Sequence, residues 1–254
     1  MENYKLIKSN LLTRSSLSEA MSFASKIRQN QWGDDVTYSR KVFVPLTNMC
    51  RDTCGYCIFV KHPDSPEAMI MTPKQVLEVS KRGESQGCKE VLFSLGEKPE
   101  ERYPKASKIL KSLGYDSMID YLRAMCDLVL NETQLLPHIN AGTLNDKEIL
   151  ILKPVSASMG MMLETVSRRL TKKGNAHFAC PDKVPVQRLR TINRMGVHKV
   201  PFTTGLLIGI GETWRERLEA LEIINEAHLK YGHIQEVIIQ NFKAKPDIAM
   251  ANYP

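Results

Sequence analysis

Short runs of apolar and β-branched residues alternate along the chain with longer stretches whose apolar positions recur at helical spacing. The strand-like runs are "KVFVPL" (41–46), "KEVLFSL" (89–95), "QLLPHIN" (134–140), "VSASMGMML" (155–163), "VPFTTGLLIGI" (200–210) and "QEVIIQNF" (235–242). Strands separated by helices predict a mainly parallel α/β sheet. Ahead of them "LSEAMSFASKIRQN" predicts a helix, and no Pro/Gly/Ser-rich linker interrupts the chain after it. The expected organisation is an N-terminal helical lead-in over 1–38 and one core over 39–254.

Capping signals sharpen two helix starts. In "MTPKQ", Thr72 is a candidate N-cap, Pro73 suits the first helical position, and Gln75 stands where a capping box needs its acceptor. "ETWRER" repeats the device with Thr213 and Glu216. Trp214, Leu218, Leu221 and Ile224 then share one face, predicted to be core. If the strands close into a full or partial barrel, the loops after their C-terminal ends form one rim, where chemistry gathers in such folds. Those loops are "CRDTCGYC", "GEKPE", "AGTLND", "ETVSRR" and "GETWRE", each rich in polar residues.

Composition adds exclusions. The start "MENYKLIKSN" has no secretory h-region, and apolar runs such as "GLLIGIG" are too short to span a bilayer, so a cytoplasmic protein without membrane contact is expected. The net charge of +7 is scattered, which favours a solvated basic surface over a nucleic-acid stripe. The six cysteines divide into one tight trio and lone Cys88, Cys126 and Cys180, a distribution that suits reduced thiols and a metal or redox role for the trio.

Cys50, Cys54 and Cys57 form C-x3-C-x2-C in one short loop. A common iron–sulfur cluster takes four cysteines. Three would leave one iron of a [4Fe–4S] cluster open to a cofactor or substrate. Zinc is the alternative, with His62 as fourth ligand in a structural site of a non-catalytic binding module. Structural zinc sites set two ligand pairs on separate elements, whereas these four residues would share one loop.

The trio, with Tyr56 before its last cysteine and a strand before the loop, resembles the signature of the radical S-adenosylmethionine (SAM) superfamily. The resemblance implies a TIM-barrel-like (β/α)6 partial barrel with an N-terminal helical extension. It also implies a [4Fe–4S] cluster held by Cys50, Cys54 and Cys57, with SAM completing the fourth iron. By the same resemblance, Gly96 and Glu97 stand for a Gly-Gly-Glu-like turn at the SAM amino group, with one glycine fewer. Glu164 stands for the residue at the ribose hydroxyls, and Arg188, rather than Arg168 or Arg169, for the partner of the SAM carboxylate. Gly205, Leu207, Gly209 and Glu212 match a G-x-I-x-G-x-x-E pattern beside the adenine, with leucine for isoleucine. Read without the resemblance, each of these is an ordinary turn, helix-end charge or packing glycine.

The strings "SRKVFVPLTNMCRDTCGYCIF", "LFSLGEKPEERYP", "LPHINAGTL", "ASMGMMLETVSRRL", "PFTTGLLIGIGET" and "QNFKAKP" resemble, from about Ser39 onward, the first radical SAM component of the 7,8-didemethyl-8-hydroxy-5-deazariboflavin (FO) synthase family of coenzyme F-420 biosynthesis. That implies an ammonia-releasing carbon–nitrogen lyase. Its substrate would be the tyrosine-derived 5-amino-5-(4-hydroxybenzyl)-6-(ribitylimino)-dihydrouracil adduct, converted to the deazaflavin through a 5′-deoxyadenosyl radical. Implied partners are the second radical SAM component, which makes the adduct, and a one-electron donor such as ferredoxin or flavodoxin. Biotin-synthase-like and hydrogenase-maturation-like enzymes are alternatives within the superfamily. His138 and Asn140 are candidate contacts to the uracil or ribityl group, or core residues. Arg51 and Asp52 are substrate contacts or loop-stabilising charges. Family members continue beyond the sixth strand, so a C-terminal part missing from this chain is expected.

Overall fold

The computed structural model describes residues 17–253. Two compact units divide the chain, Met1–Ser39 and Arg40–Pro254. In the first, helix α1 (Leu17–Trp32) forms where the pattern predicts it and buries none of its residues. The part of the expected lead-in before Leu17 lies outside the described residues.

The second unit alternates β1 (Lys41–Thr47), α2 (Pro73–Ser85), β2 (Glu90–Leu95), α3 (Pro104–Ser112), α4 (Met118–Glu132), β3 (Leu136–Asn140) and α5 (Asp146–Leu152). It continues with β4 (Ser158–Gly160), α6 (Pro185–Val197), β5 (Phe202–Ile208), α7 (Trp214–Tyr231) and β6 (Ile234–Asn241). All six strands pair in parallel and in sequence order, an open sheet of a partial barrel, since among the described residues β1 pairs with β2 alone and β6 with β5 alone.

Strand alternation gives the sheet two unlike faces. Val44, Leu46, Val91, Phe93, Ile139, Met159, Phe202 and Leu206 are buried in the main core with Tyr121, Leu122, Met125 and Val129 of α4. Each such side chain stabilises the fold by about 1.5–3 kcal/mol. The opposite face carries Lys41, Phe43, Glu90, His138, Asn140, Thr203 and Glu236, a different chemistry altogether.

Both predicted capping boxes form, Thr72 with Gln75 and Thr213 with Glu216, and Asn145 with Glu148 adds a third. Two expectations need correction. The fourth strand is three residues long rather than nine, because the Thr204 hydroxyl enters the ladder: it donates to the Met161 carbonyl (2.9 Å) and accepts from Leu163 N–H (3.2 Å). Trp214 is not core. As the first residue of α7 it lies beyond the packed layer, 44% exposed under the Arg217 guanidinium, and the buried line of that helix is Ala220, Ile224 and Ala227.

Candidate functional site

The cysteine loop leaves β1 and is held by the turn after β2. Gly96 N–H donates to the Thr47 carbonyl (3.0 Å), Arg51 N–H to the Glu97 carbonyl (2.9 Å), and Glu97 N–H to Cys50 Sγ (3.2 Å). A β-carbon at Gly96 would lie 1.9 Å from the Met49 carbonyl oxygen and 2.9 Å from Cys50 Cβ. Only glycine lets the two loops touch. On the other side Gly55 N–H donates to Ala176 O (2.8 Å), Met250 N–H donates to Gly55 O (2.9 Å), and Tyr56 packs on a small second core of Leu170, Ala176, Leu207, Ile210 and Met250.

All three cysteines of the trio are free and partly exposed. Burial pushes the Cys50 thiol up to about 12 and raises Cys57 as well. A hydrogen bond from the Cys180 thiol lowers Cys54. His62, the fourth ligand of the zinc reading, is exposed beside Asp64, its ring edge-on to Tyr103. Among the described residues neither His62 nor the trio belongs to a group of ligating atoms within 4.8 Å of one another.

Next to the cysteines lies a dense charged cluster. Asp52, Glu97 and Asp182 each bring an oxygen within 4.8 Å of the others. Burial, reinforced by Asp182, raises Glu97 to about 7 despite Arg188 and Thr143. Glu97 Oε1 accepts from the N–H (2.6 Å) and hydroxyl of Thr143, and Gly142, at φ +77°, leaves the space that carboxylate fills. Arg51 grips Asp182 through Nε and NH2 and Glu101 through NH1, so it braces the loop. Asp52 is buried, and among the described residues its Oδ2 has no hydrogen-bond partner.

Arg188 is 3% exposed on α6. Its Nε donates to the Met162 carbonyl (2.7 Å) and NH1 to the Asp182 carbonyl (3.1 Å), while NH1 and NH2 approach Glu97 (4.0 Å) and Glu164 (3.7 Å). Glu164 adopts φ +66°, a left-handed conformation uncommon for a side-chain-bearing residue. Its N–H donates to Gly205 O (2.8 Å) and its carbonyl accepts from Leu207 N–H (3.1 Å), which fixes it on β5. The carboxylate accepts from the Tyr56 hydroxyl, faces His177 Nε2 (3.0 Å) and accepts from Lys183 Nζ (2.5 Å). Burial opposes ionisation, but Lys183, His177 and Arg188 outweigh it and hold Glu164 well below the usual carboxylate range.

Cys50, Tyr56, Glu97, Glu164 and Arg188 are thereby joined in one contact network. The fifth-strand glycines sit at its margin for reasons of backbone. A β-carbon at Gly205 would lie 2.0 Å from the Ile238 carbonyl oxygen, so close β5–β6 pairing requires glycine, and Gly209 is at φ +96°. Glu212 closes that turn, accepting from Gly209 N–H (2.9 Å) and Ile210 N–H (2.9 Å) and pairing with Arg217 (2.6 Å). His138 and Asn140 are on the face of β3 opposite the main core, below the network; His138 Nδ1 meets Ser158 Oγ at 2.7 Å.

Sequence reading missed the segment 177–183, which supplies His177, Cys180, Asp182 and Lys183, together with Thr143. "HFACPDK" packs four reactive side chains into seven loop residues, a density that could have drawn attention to it.

Residues 44–224 match the family described as the Radical SAM superfamily. The chain is 54% identical over 224 residues to "FO synthase" of Nocardia farcinica, covering 86% of this chain and 26% of that protein. It is 47% identical over 219 residues to "7,8-didemethyl-8-hydroxy-5-deazariboflavin synthase" of Methanopyrus kandleri, covering 86% and 66%. It thus spans about a quarter of the length of the FO synthase it matches. Among solved structures, methylornithine synthase (PylB) superposes with a TM-score of 0.72 at 16% identity, covering 97% of this chain and 66% of that one. The FeFe-hydrogenase maturase HydG from Carboxydothermus hydrogenoformans gives 0.71 at 18% identity, covering 89% and 49%. These two likenesses establish the fold alone. With a family match over most of its length, the chain belongs to the radical SAM superfamily.

Proposed function

We propose that this chain is the catalytic core that converts the tyrosine-derived 5-amino-5-(4-hydroxybenzyl)-6-(ribitylimino)-dihydrouracil adduct to 7,8-didemethyl-8-hydroxy-5-deazariboflavin with release of ammonia. The observation that carries this reading is the 47–54% identity over 86% of the chain to proteins named for that product.

The donor set fits the cofactors of the superfamily. Cys50, Cys54 and Cys57, three free thiols of one short loop, would hold a [4Fe–4S] cluster. When bound, cluster and SAM supply a 5′-deoxyadenosyl radical for hydrogen abstraction. The chain's own groups orient and enclose. Glu97 suits an ammonium, which would draw its raised carboxyl into the ionised form. Arg188, fixed through Nε and NH1 by two backbone carbonyls, would offer NH2 to a carboxylate. Glu164, held ionised, accepts from hydroxyls such as those of a ribose. Tyr56 seats the loop, and Gly205 and Gly209 shape the wall toward the adenine. The second radical SAM component would supply the adduct, and a ferredoxin or flavodoxin the electron.

Anaerobic reconstitution followed by turnover with SAM and the adduct tests the proposal. Expected are broad visible absorption and bound iron, both lost in Cys50→Ala, Cys54→Ala and Cys57→Ala, and formation of 5′-deoxyadenosine together with deazaflavin fluorescence. Deoxyadenosine without deazaflavin would reject this substrate while keeping the superfamily chemistry.

A further inference from the structure

The face of the sheet opposite the main core holds a second polar group that the cysteine-loop network does not use. Asn140, Gly160, Thr203 and Glu236 come from four successive strands. Thr203 is in register with both Gly160 and Glu236. Asn140 closes the row, because a β-carbon at Gly160 would lie 2.3 Å from Asn140 Oδ1 and 3.0 Å from His138 Nε2. Glycine at 160 therefore leaves the room that these two polar atoms fill, where His138 hydrogen-bonds Asn140 and holds it in place.

Across from them the β5–β6 ladder is irregular between Phe202 and Thr203, and the extra residue on β6 is Gln235. As a result Gln235 Nε2 (3.2 Å) and Glu236 Oε2 (3.3 Å) both reach the Thr203 hydroxyl. The pair offers an amide donor and a carboxylate with acceptor capacity to spare. Thr203 is two residues below Gly205, whose carbonyl holds Glu164, so this group lies about 7 Å beneath the network.

Gln235 and Glu236 are exposed on this face, and its charge balance is selective. Lys41, whose field acts on His138, is paired with Glu90 at 3.2 Å. Burial and Lys41 keep His138 neutral. Glu236 thus leaves the face with a net negative charge, surrounded by hydroxyl and amide groups. Hydroxyl donors are welcome there, whereas a phosphate dianion meets like charge. Phe43 and Ile238, 46% and 38% exposed on the same face, offer apolar surface beside it.

We propose that Glu236, with Thr203 and Gln235 on one side and Asn140, positioned by His138, on the other, forms the subsite for an uncharged, hydroxyl-rich chain of the substrate, and that Glu236 makes the protein reject the phosphate ester of that chain. This deepens the function proposed above and rests on it.

The test is equilibrium binding, read by fluorescence, of the deazaflavin and of its terminal phosphate monoester to the anaerobically reconstituted protein. The wild type is expected to prefer the free polyol at least tenfold. Glu236→Gln should narrow the preference to threefold or less by gaining ester affinity, with circular dichroism and iron content unchanged. Thr203→Val, a near-isosteric change, should weaken the free polyol several-fold. Equal wild-type affinities, or a preference that Glu236→Gln leaves intact, overturn the subsite and leave the proposed reaction standing. Absence of any deazaflavin binding by the wild type overturns the reading beneath it, and the subsite with it.

Discussion

A single missing β-carbon at Gly96 decides how the second-strand turn meets the cysteine loop. The atoms in its way are the Met49 carbonyl and Cys50 Cβ, backbone and near-backbone groups that cannot swing aside. Gly96→Ala is expected to cost about 1–3 kcal/mol in forced displacement. Because that displacement falls on Cys50 and on the Glu97 N–H that donates to its sulfur, iron content after reconstitution should drop below half of the wild-type value while the far-ultraviolet dichroism is retained. Normal iron loading in a stable Gly96→Ala protein would mean that the contact is not needed for the loop. Glu164 shows the same economy differently: its left-handed backbone is held from both sides by β5, and that pinning aims its carboxylate at Tyr56, His177 and Lys183.

Elements carry the site by where they begin. Helix α2 opens with the Thr72–Gln75 capping box and packs on β1, and α5 opens with the Asn145–Glu148 box just after the Thr143 that holds Glu97. Replacing Thr72 by Ala should remove about 1 kcal/mol of stability. A thermal melt is expected to shift down by a few degrees, with iron loading unchanged, since Thr72 touches nothing in the charged network. A loss of iron without a shift in melting would contradict this division between helix stability and site. The short β4 illustrates the opposite case, where one side chain, Thr204, replaces regular ladder bonds and frees the chain to turn toward Glu164.

For the whole molecule, burial of ionisable groups ties stability to pH. His138 and His233 are both lowered, by burial first, so the folded chain binds their protons less readily than the unfolded chain. Their contribution is complete above the unfolded histidine value of about 6.5 and is lost as pH falls through the lower folded values. Glu97 and Asp52 act in the other direction, since each is raised and disfavours the folded state as pH climbs past its unfolded value. The informative quantity is therefore a difference. Between pH 7 and 5 the denaturation midpoint of His138→Gln should fall less, or rise more, than that of the wild type measured alongside. Parallel profiles would show that His138 is not held neutral.

The alternation of strand and helix, the two capping boxes and the tight cysteine trio are local patterns, written in residues close together in the chain, and the sequence by itself was enough to determine them. The set Cys50, Tyr56, Glu97 and Glu164 was marked by the resemblance to the superfamily rather than by local pattern, and each stands at the end of a strand or in the loop after one. Contacts between distant residues were not legible in this way. That Asp182 grips Arg51, that Lys183 and His177 hold Glu164 ionised, and that Gln235 and Glu236 both reach Thr203 depends on strand register and on how segments 13 to 131 positions apart meet. The role of Gly205 shows the limit most directly. Sequence marks it as a glycine where close approach is needed, but only the paired β6 shows that the approaching group is the Ile238 backbone. Spacing along one chain encodes periodicity and caps, whereas charge compensation and close packing are properties of surfaces that exist only after folding.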